Sequence, residues 1–168
     1  MNENKNVSRL VNQPVLVAIG LWMFVGQVLM VLILSTGDIF RPTGVLFVLK
    51  HVFPTIDRTD SHYVFDPVAA SRYLTAVASL LPILLWSLFR IPARHFHDKN
   101  SLVLAKYKWA YVIFFVLIAI YAAHFRWDDG LIVRVLCWSS VGFSFAGSLL
   151  GFLVGYLIRS AVAIALAK

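Results

Sequence analysis

Residues Cys137–Gly155 read CWSSVGFSFAGSLLGFLVG, and the small residues of this stretch recur at helical spacing. Successive residues of an α-helix lie about 100° apart around its axis, so every fourth residue returns to nearly the same side. Gly147, Gly151 and Gly155 follow this spacing, while bulky residues such as Phe145 occupy the opposite side. The pattern predicts a helix with one flat face and one bulky face.

The flat face indicates close helix–helix contact inside a membrane. Lipid tails are as apolar as leucine, so moving a leucine side chain from lipid into a helix–helix contact gives no hydrophobic gain. Helices in lipid associate where small residues let their backbones approach closely. Such contact can lie within one subunit, between subunits, or along a pore if the serines face water. We predict a contact between subunits through Ser140, Ser144, Gly147, Ser148, Gly151 and Gly155.

The composition indicates a membrane protein. Of the 168 residues, 60% are hydrophobic and only 14% are charged, whereas ordinary soluble domains are about 45–50% apolar. A soluble chain of this length could not bury so much apolar surface. We therefore expect an all-α, polytopic membrane protein in which residues 1–168 form a single domain. Cys137 is the one cysteine, so it excludes an intrachain disulfide, and we expect it to act as a packing residue.

Four apolar runs are predicted to cross the membrane, each near the length of about 20 residues that a helical span needs. The predicted spans are about 14–36, 68–89, 109–126 and 131–158. Gln27 is the strongly polar side chain of the first span, and we expect its amide to bond a neighbouring helix. The fourth span carries the flat face and leaves the membrane at Arg159, which an apolar tail follows.

The connection 37–67 is predicted to form an outer cap. Its segment 42–53 is too short to span, yet its apolar residues recur at helical spacing. We expect a short amphipathic helix that packs one apolar face onto the spans or into lipid. That face consists of Val45, Val48, Leu49 and Phe53.

Lysine and arginine are distributed unequally between the two sides. With four spans, both termini and the loop 90–108 share one side, which holds nine basic residues against two acids, a net charge of +7. The other side holds six basic residues and six acids. Because basic loops stay in the cytoplasm, we expect both termini there. Attraction to anionic lipid then accounts for the basic character, and we expect no direct contact with nucleic acid.

The loop 90–108 is predicted to form a basic contact surface. Topology and lipid headgroups explain its charge, and an acidic cytosolic protein docking through an apolar anchor, Phe96, is the alternative. The residues concerned are Arg90, Arg94, Phe96, Lys99, Lys106 and Lys108.

Residues that carry catalysis or bind metals are sparse. A metal site at His95, His97 and Asp98 is only weakly indicated. Two histidines at this spacing are a weak signal, and they are accompanied by one acid and no cysteine. Arg72, His124 and Arg134 lie near membrane faces, whereas pumps and proton-coupled transporters usually keep ionisable residues deeper. We therefore expect no catalytic residue, cofactor or metal, and no enzyme.

The layout resembles that of two bacterial groups. Four spans, cytoplasmic ends, a long first outer connection and a basic middle loop are similar to the membrane subunit of the Kiwa anti-phage defence system. The same layout is similar to immunity proteins of pore-forming colicins. The resemblance covers the whole chain as topology and includes no residue motif, so no functional residue is carried over. It implies a bacterial inner-membrane location and a role in defence.

The function that we expect is that of a non-catalytic subunit embedded in the lipid bilayer. It would form homo-oligomers, respond to events at the envelope and anchor a cytosolic effector at its basic loop. The alternatives are a small ion channel lined by the fourth span and an immunity protein against a pore-forming toxin.

Reporter fusions test the predicted orientation. We expect a fusion after Lys168 to report the cytoplasm and a fusion within residues 55–67 to report the periplasm, because the whole charge excess lies on the side of the termini. A periplasmic signal after Lys168 would contradict the orientation.

Overall fold

The structure, a computed structural model, describes residues 13–36, 45–56, 58–59, 64–96, 107–127 and 131–166. In these ranges the chain forms α-helices and single 3₁₀ turns and no strand, which confirms the all-α prediction. The helices are α1 (Gln13–Thr36), α2 (Val45–Val52), α3 (Pro67–Arg90), α4 (Lys108–Ala123), α5 (Leu131–Cys137) and α6 (Ser140–Leu166).

Three of these helices, α1, α3 and α6, are long and apolar enough to cross a membrane. They contain 24, 24 and 27 residues. At about 1.5 Å per residue they exceed the hydrocarbon thickness of about 30 Å. The apolar helix α4 has 16 residues and is shorter. This set of helices is compatible with a multi-pass membrane protein.

Helix α6 lies at the centre of the molecule, where it contacts α1, α3, α4 and α5. Trp22 of α1 bonds to Ser148, and Gln27, further along α1, bonds to Ser144. The two helices therefore run in opposite directions. Helices α1 and α3 also contact each other, so they form a three-helix unit with α6.

The remaining helices complete an alternating arrangement. Arg159 near the end of α6 bonds to carbonyl groups at the end of α3, so these two helices run parallel. The Trp127 ring, just after α4, contacts Phe143 near the start of α6, and α4 therefore runs antiparallel to α6. The end of the molecule at which α1 and α4 begin and α3 and α6 finish is called the inner end. The opposite end is the outer end.

The first turn of α3 is capped by its own sequence. The Asp66 carboxylate accepts hydrogen bonds from the backbone N–H groups of Val68 and Ala69, at 2.9 and 3.1 Å. Pro67 occupies the first helical position, where the missing N–H costs nothing because that group has no partner inside the helix. Asp66 thus has a structural role at the outer end.

The prediction of one continuous helix over 131–158 is wrong, because the chain breaks between α5 and α6. Ser139 caps α6, and its hydroxyl accepts a hydrogen bond from the backbone N–H of Gly142 at 3.0 Å. The serine hydroxyl accepts from a backbone N–H in the first turn of α6, which would bond to a carbonyl of the preceding turn if the helix continued. Helix α6 also passes Arg159 and continues to Leu166, so the predicted apolar tail belongs to the helix.

The described part of the outer cap contains a helix, α2, which lies within the predicted segment 42–53 and ends at Val52. Leu49 and Phe53 are half-buried and pack against the core, as predicted. Val48 is 62% exposed, so it faces away from the other helices. The side chain of Val45 lies outside the described part of the structure.

Aromatic side chains close the outer end beneath this cap. Trp127 and Phe143 are fully buried, with ring centroids 4.7 Å apart. The rings of Phe65 and Phe125 contact this pair edge-on. The Trp127 indole N–H donates to the backbone carbonyl of Thr55 at 3.2 Å, which ties the cap to the cluster.

We predict that Gly142→Ala destabilises the α5–α6 corner. A Cβ at Gly142 would collide with the backbone carbonyl of Leu136, which cannot move without shifting α5. Gly20→Ala is the matched control, because a Cβ there meets nothing within 4 Å. Alanine is the better helix former, so Gly20→Ala should be neutral or stabilising.

Unfolding in mixed detergent measures both variants. We expect Gly142→Ala to lower the free energy of unfolding by about 1–3 kcal/mol, the range of an overpacked core. Equal stability of the two variants would show that α5 tolerates the displacement.

Candidate functional site

A network of buried hydrogen bonds joins α3 to the small-residue face of α6. The Tyr73 hydroxyl donates to the backbone carbonyl of Ser144 at 2.7 Å and lies 2.6 Å from the Ser148 hydroxyl. All three residues are fully buried. Hydrocarbon offers a polar group no partner, so these bonds replace those that water would supply.

Helix α1 joins the same network from the other side. The Trp22 indole N–H donates to the backbone carbonyl of Ser148 at 2.8 Å. The Ser144 hydroxyl donates to the Gln27 amide oxygen at 2.8 Å. The prediction that Gln27 bonds a neighbouring helix is confirmed, and its partner is a residue of α6.

The glycines of α6 lie against α3. A Cβ would lie 2.8 Å from Tyr73 Cε1 if it were added to Gly147, and 2.7 Å from Val77 Cγ1 if added to Gly151. At Gly155 it would lie 2.9 Å from a methyl group of Leu84. Because real Cβ atoms do not make such contacts, α3 reaches this position only with glycine at all three sites.

The residues predicted for a contact between subunits therefore lie inside one chain. Of the six, the five from Ser144 to Gly155 are buried against α1 and α3, and Ser140 is half-buried. Of the three alternatives for the flat face, packing within one subunit matches this arrangement. The two buried serines are hydrogen-bonded to α1 and α3 instead of facing a pore.

Arg159 joins α6 to the inner end of α3. Its Nε donates to the carbonyl of Leu88 at 3.2 Å, and its Nη2 donates to the carbonyl of Ile91 at 3.0 Å. The last carbonyls of a helix lack partners within the helix and carry its negative partial charge. Arg159 thus caps α3 from a neighbouring helix. It is only 6% exposed, so its guanidinium lies inside the bundle.

The predicted anchor Phe96 is also buried. Its ring centroid lies 4.8 Å from the Arg159 guanidinium and 5.5 Å from the centroid of the Tyr156 ring. Phe96 thus covers the capping arginine and is not available as an exposed anchor for a partner. The prediction of that role is wrong.

Of the other residues predicted for the basic surface, the structure describes two in full. Arg90 is exposed at the end of α3, where its guanidinium stacks 3.8 Å above the Trp86 ring. Lys108 is half-buried at the start of α4. The side chain of Arg94, and Lys99 and Lys106 entirely, lie outside the described residues.

The weak metal motif receives no support from the described ranges. His95 lines the inner end of a groove between α1 and α6, while His97 and Asp98 lie outside the described residues. Within the ranges given above, no three His, Cys, Asp or Glu side chains lie close enough together to hold a metal ion. Cys137 is buried, and its thiol is free.

Tyr73 and Trp22 are the residues of the network that sequence reasoning missed. In the sequence both look like apolar residues of their spans. Their partners are backbone carbonyl groups, and since every residue carries one, no sequence pattern marks those partners. A signal exists in retrospect. A tyrosine or tryptophan that is buried among apolar residues needs a partner for its hydroxyl or its indole N–H.

Comparison of the chain with protein-family models, with curated proteins and with solved structures yields no match.

We predict that Tyr73→Phe destabilises the fold, because it removes the hydroxyl that joins α3 to α6 and leaves the ring packing unchanged. The expected loss is about 0.6–2 kcal/mol, the range of hydrogen bonds between helices in membranes. Tyr121→Phe is the matched control, since Tyr121 is 69% exposed.

Unfolding of both variants in mixed detergent gives the comparison. A double-mutant cycle with Ser148→Ala isolates the bond between the two hydroxyl groups. Loss of the same free energy in Tyr73→Phe and Tyr121→Phe would contradict the structural role of the network.

Proposed function

We propose that the chain is a non-catalytic, four-span subunit of a bacterial inner membrane that holds an acidic cytosolic protein at its inner end. One observation carries the proposal: the alternating helices bring the start of α1, the end of α3, the start of α4 and the end of α6 to the same end. The segments with the +7 charge excess adjoin these helix ends.

The short helix α4 is the fourth span of this proposal. It lies along α6 in the opposite direction and exposes apolar residues such as Ile113, Phe114 and Leu117. Its 16 residues measure about 24 Å, and a bilayer accommodates such a helix by local thinning at a modest cost. Exposed Tyr107 and Trp109 at its inner end suit a membrane interface.

The distribution of described charges favours an acidic partner. Arg90 is exposed at the inner end, and Arg159 holds a second positive charge beneath it. Asp66 is the only acid within the described ranges, and it caps α3 at the outer end. Within the described ranges, the inner end carries no carboxylate that would oppose the attraction of an acidic protein surface.

The wider setting of the proposal follows from the resemblance in layout. On that basis, the anchored protein would be an effector of anti-phage defence, and the outer cap would respond to events at the envelope. Because α1 and α3 already cover the flat face of α6, that face is not accessible to a second copy of the chain. A homo-oligomer would therefore form through the surfaces that face lipid. A channel lined by α6 is disfavoured by the same contacts, and an immunity protein stays the alternative.

We predict that reversing the charges of Arg94, Lys99 and Lys106 together reduces capture of a cytosolic partner from its native host. Capture by the parent protein should itself fall at high salt, because surface charges are screened. A triple reversal at Arg41, Lys50 and Arg126 on the other side is the matched control and should leave capture unchanged. Quantitative mass spectrometry of the captured proteins provides the measurement.

The reporter fusion after Lys168 must accompany this experiment, because removing inner charges can invert the protein. A correctly oriented triple variant that captures the same proteins as the parent would refute the docking role. Capture of a secreted pore-forming toxin instead of a cytosolic protein would favour the immunity alternative.

A further inference from the structure

A groove lies between α1 and α6 in the inner half of the molecule. The two helices touch where Trp22 bonds to the carbonyl of Ser148. Closer to the inner end they leave a groove of about 330 Å³, within the size range of about 300–1,000 Å³ that is typical of small-molecule sites. Its lining includes Val15, Ile19, Phe152, Leu153, Tyr156 and His95.

The chemistry of the groove changes along its length. Ile19, Phe152 and Leu153 provide an apolar wall, and Leu153 is 39% exposed on the outer surface of α6. The polar groups of Tyr156 and His95 come at the inner end. A long apolar wall with a polar end matches an acyl chain that is joined to a headgroup.

The charge beside the groove is positive. The Phe96 ring contacts both the Tyr156 ring of the groove and the Arg159 guanidinium. Only the Phe96 ring therefore separates this buried cation from Tyr156. The acceptors of Arg159 are two carbonyl groups, whose partial negative charge offsets only part of the positive charge of the guanidinium. Asp66, the one acid within the described ranges, lies at the other end of α3. An anionic headgroup is therefore favoured over a zwitterionic one.

We propose that this groove binds an anionic phospholipid of the inner leaflet. One acyl chain lies along Ile19, Phe152 and Leu153, and the phosphate lies at the level of Tyr156 and His95. Basic pockets between helices on the cytoplasmic side are a known type of site for anionic lipids. This site involves no protein partner, and it rests on the proposed function only for the orientation that puts the inner end in the inner leaflet.

The test uses the full chain in nanodiscs that contain equal amounts of phosphatidylglycerol and phosphatidylcholine with the same acyl chains. Native mass spectrometry after transfer to detergent measures the retained lipid. We expect retained phosphatidylglycerol to exceed phosphatidylcholine by about fivefold, the factor of one basic side chain near an anionic surface. Equal retention of the two lipids would overturn the proposal.

Two substitutions locate the lipid. Leu153→Trp fills the groove and should reduce the preference for phosphatidylglycerol to the level that the basic loops alone provide. Leu117→Trp introduces the same side chain on α4, where Leu117 is 58% exposed outside the groove, and should preserve the preference. An unchanged preference in a folded Leu153→Trp variant would overturn the proposal. So would a dimer of the parent that Leu153→Trp dissociates, because a second copy would then be the occupant.

A measurement on the unmodified chain covers the case in which Leu153→Trp fails to fold. Phosphatidylglycerol with a photoreactive acyl chain should crosslink to the segment 149–156 of α6 more than to the segment 113–120 of α4. Equal crosslinking of the two segments would indicate general lipid contact and would refute a site in the groove.

Discussion

The close approach of α3 to the flat face of α6 is the contact on which the rest of the structure depends. Three glycines at four-residue spacing leave room for Tyr73, Val77 and Leu84. In a membrane, lipid would supply no hydrophobic drive for this contact, and its stability would come from dispersion between closely packed atoms and from the hydrogen bonds that this packing permits. Helix α1 packs against both α3 and α6 and covers the surface that they form together.

The small residues and the polar network have a common physical origin. A helix carbonyl already accepts one hydrogen bond from the N–H four residues later, and its second lone pair is usually covered by bulky side chains. Serine and glycine leave that lone pair open. Tyr73 and Trp22 bond to two such carbonyls one turn apart, those of Ser144 and Ser148. The backbone of α6 is thus the recognition surface for both neighbours.

Hydrophobic length and helical spacing predicted the all-α fold, the long helices α1 and α3 and the flat face, because these depend on local pattern. The break before α6 was not predictable in the same way, since Ser139 can either continue a helix or cap one. The burial of Arg159 and Phe96 was not predictable for a different reason. A terminal arginine usually reaches water, and only tertiary structure brings the unpaired carbonyls at the end of α3 within its reach.

The central position of α6 has a consequence for how the protein is made. Synthesis proceeds from the N-terminus, so α1, α3 and α4 leave the ribosome before the helix that all of them contact. Until then the Tyr73 hydroxyl, the Trp22 indole and the end of α3 lack their final partners. In a membrane, the early helices would remain in the insertion machinery or loosely associated in lipid. Assembly of this protein is therefore a late event in its biogenesis, set by the arrival of one helix.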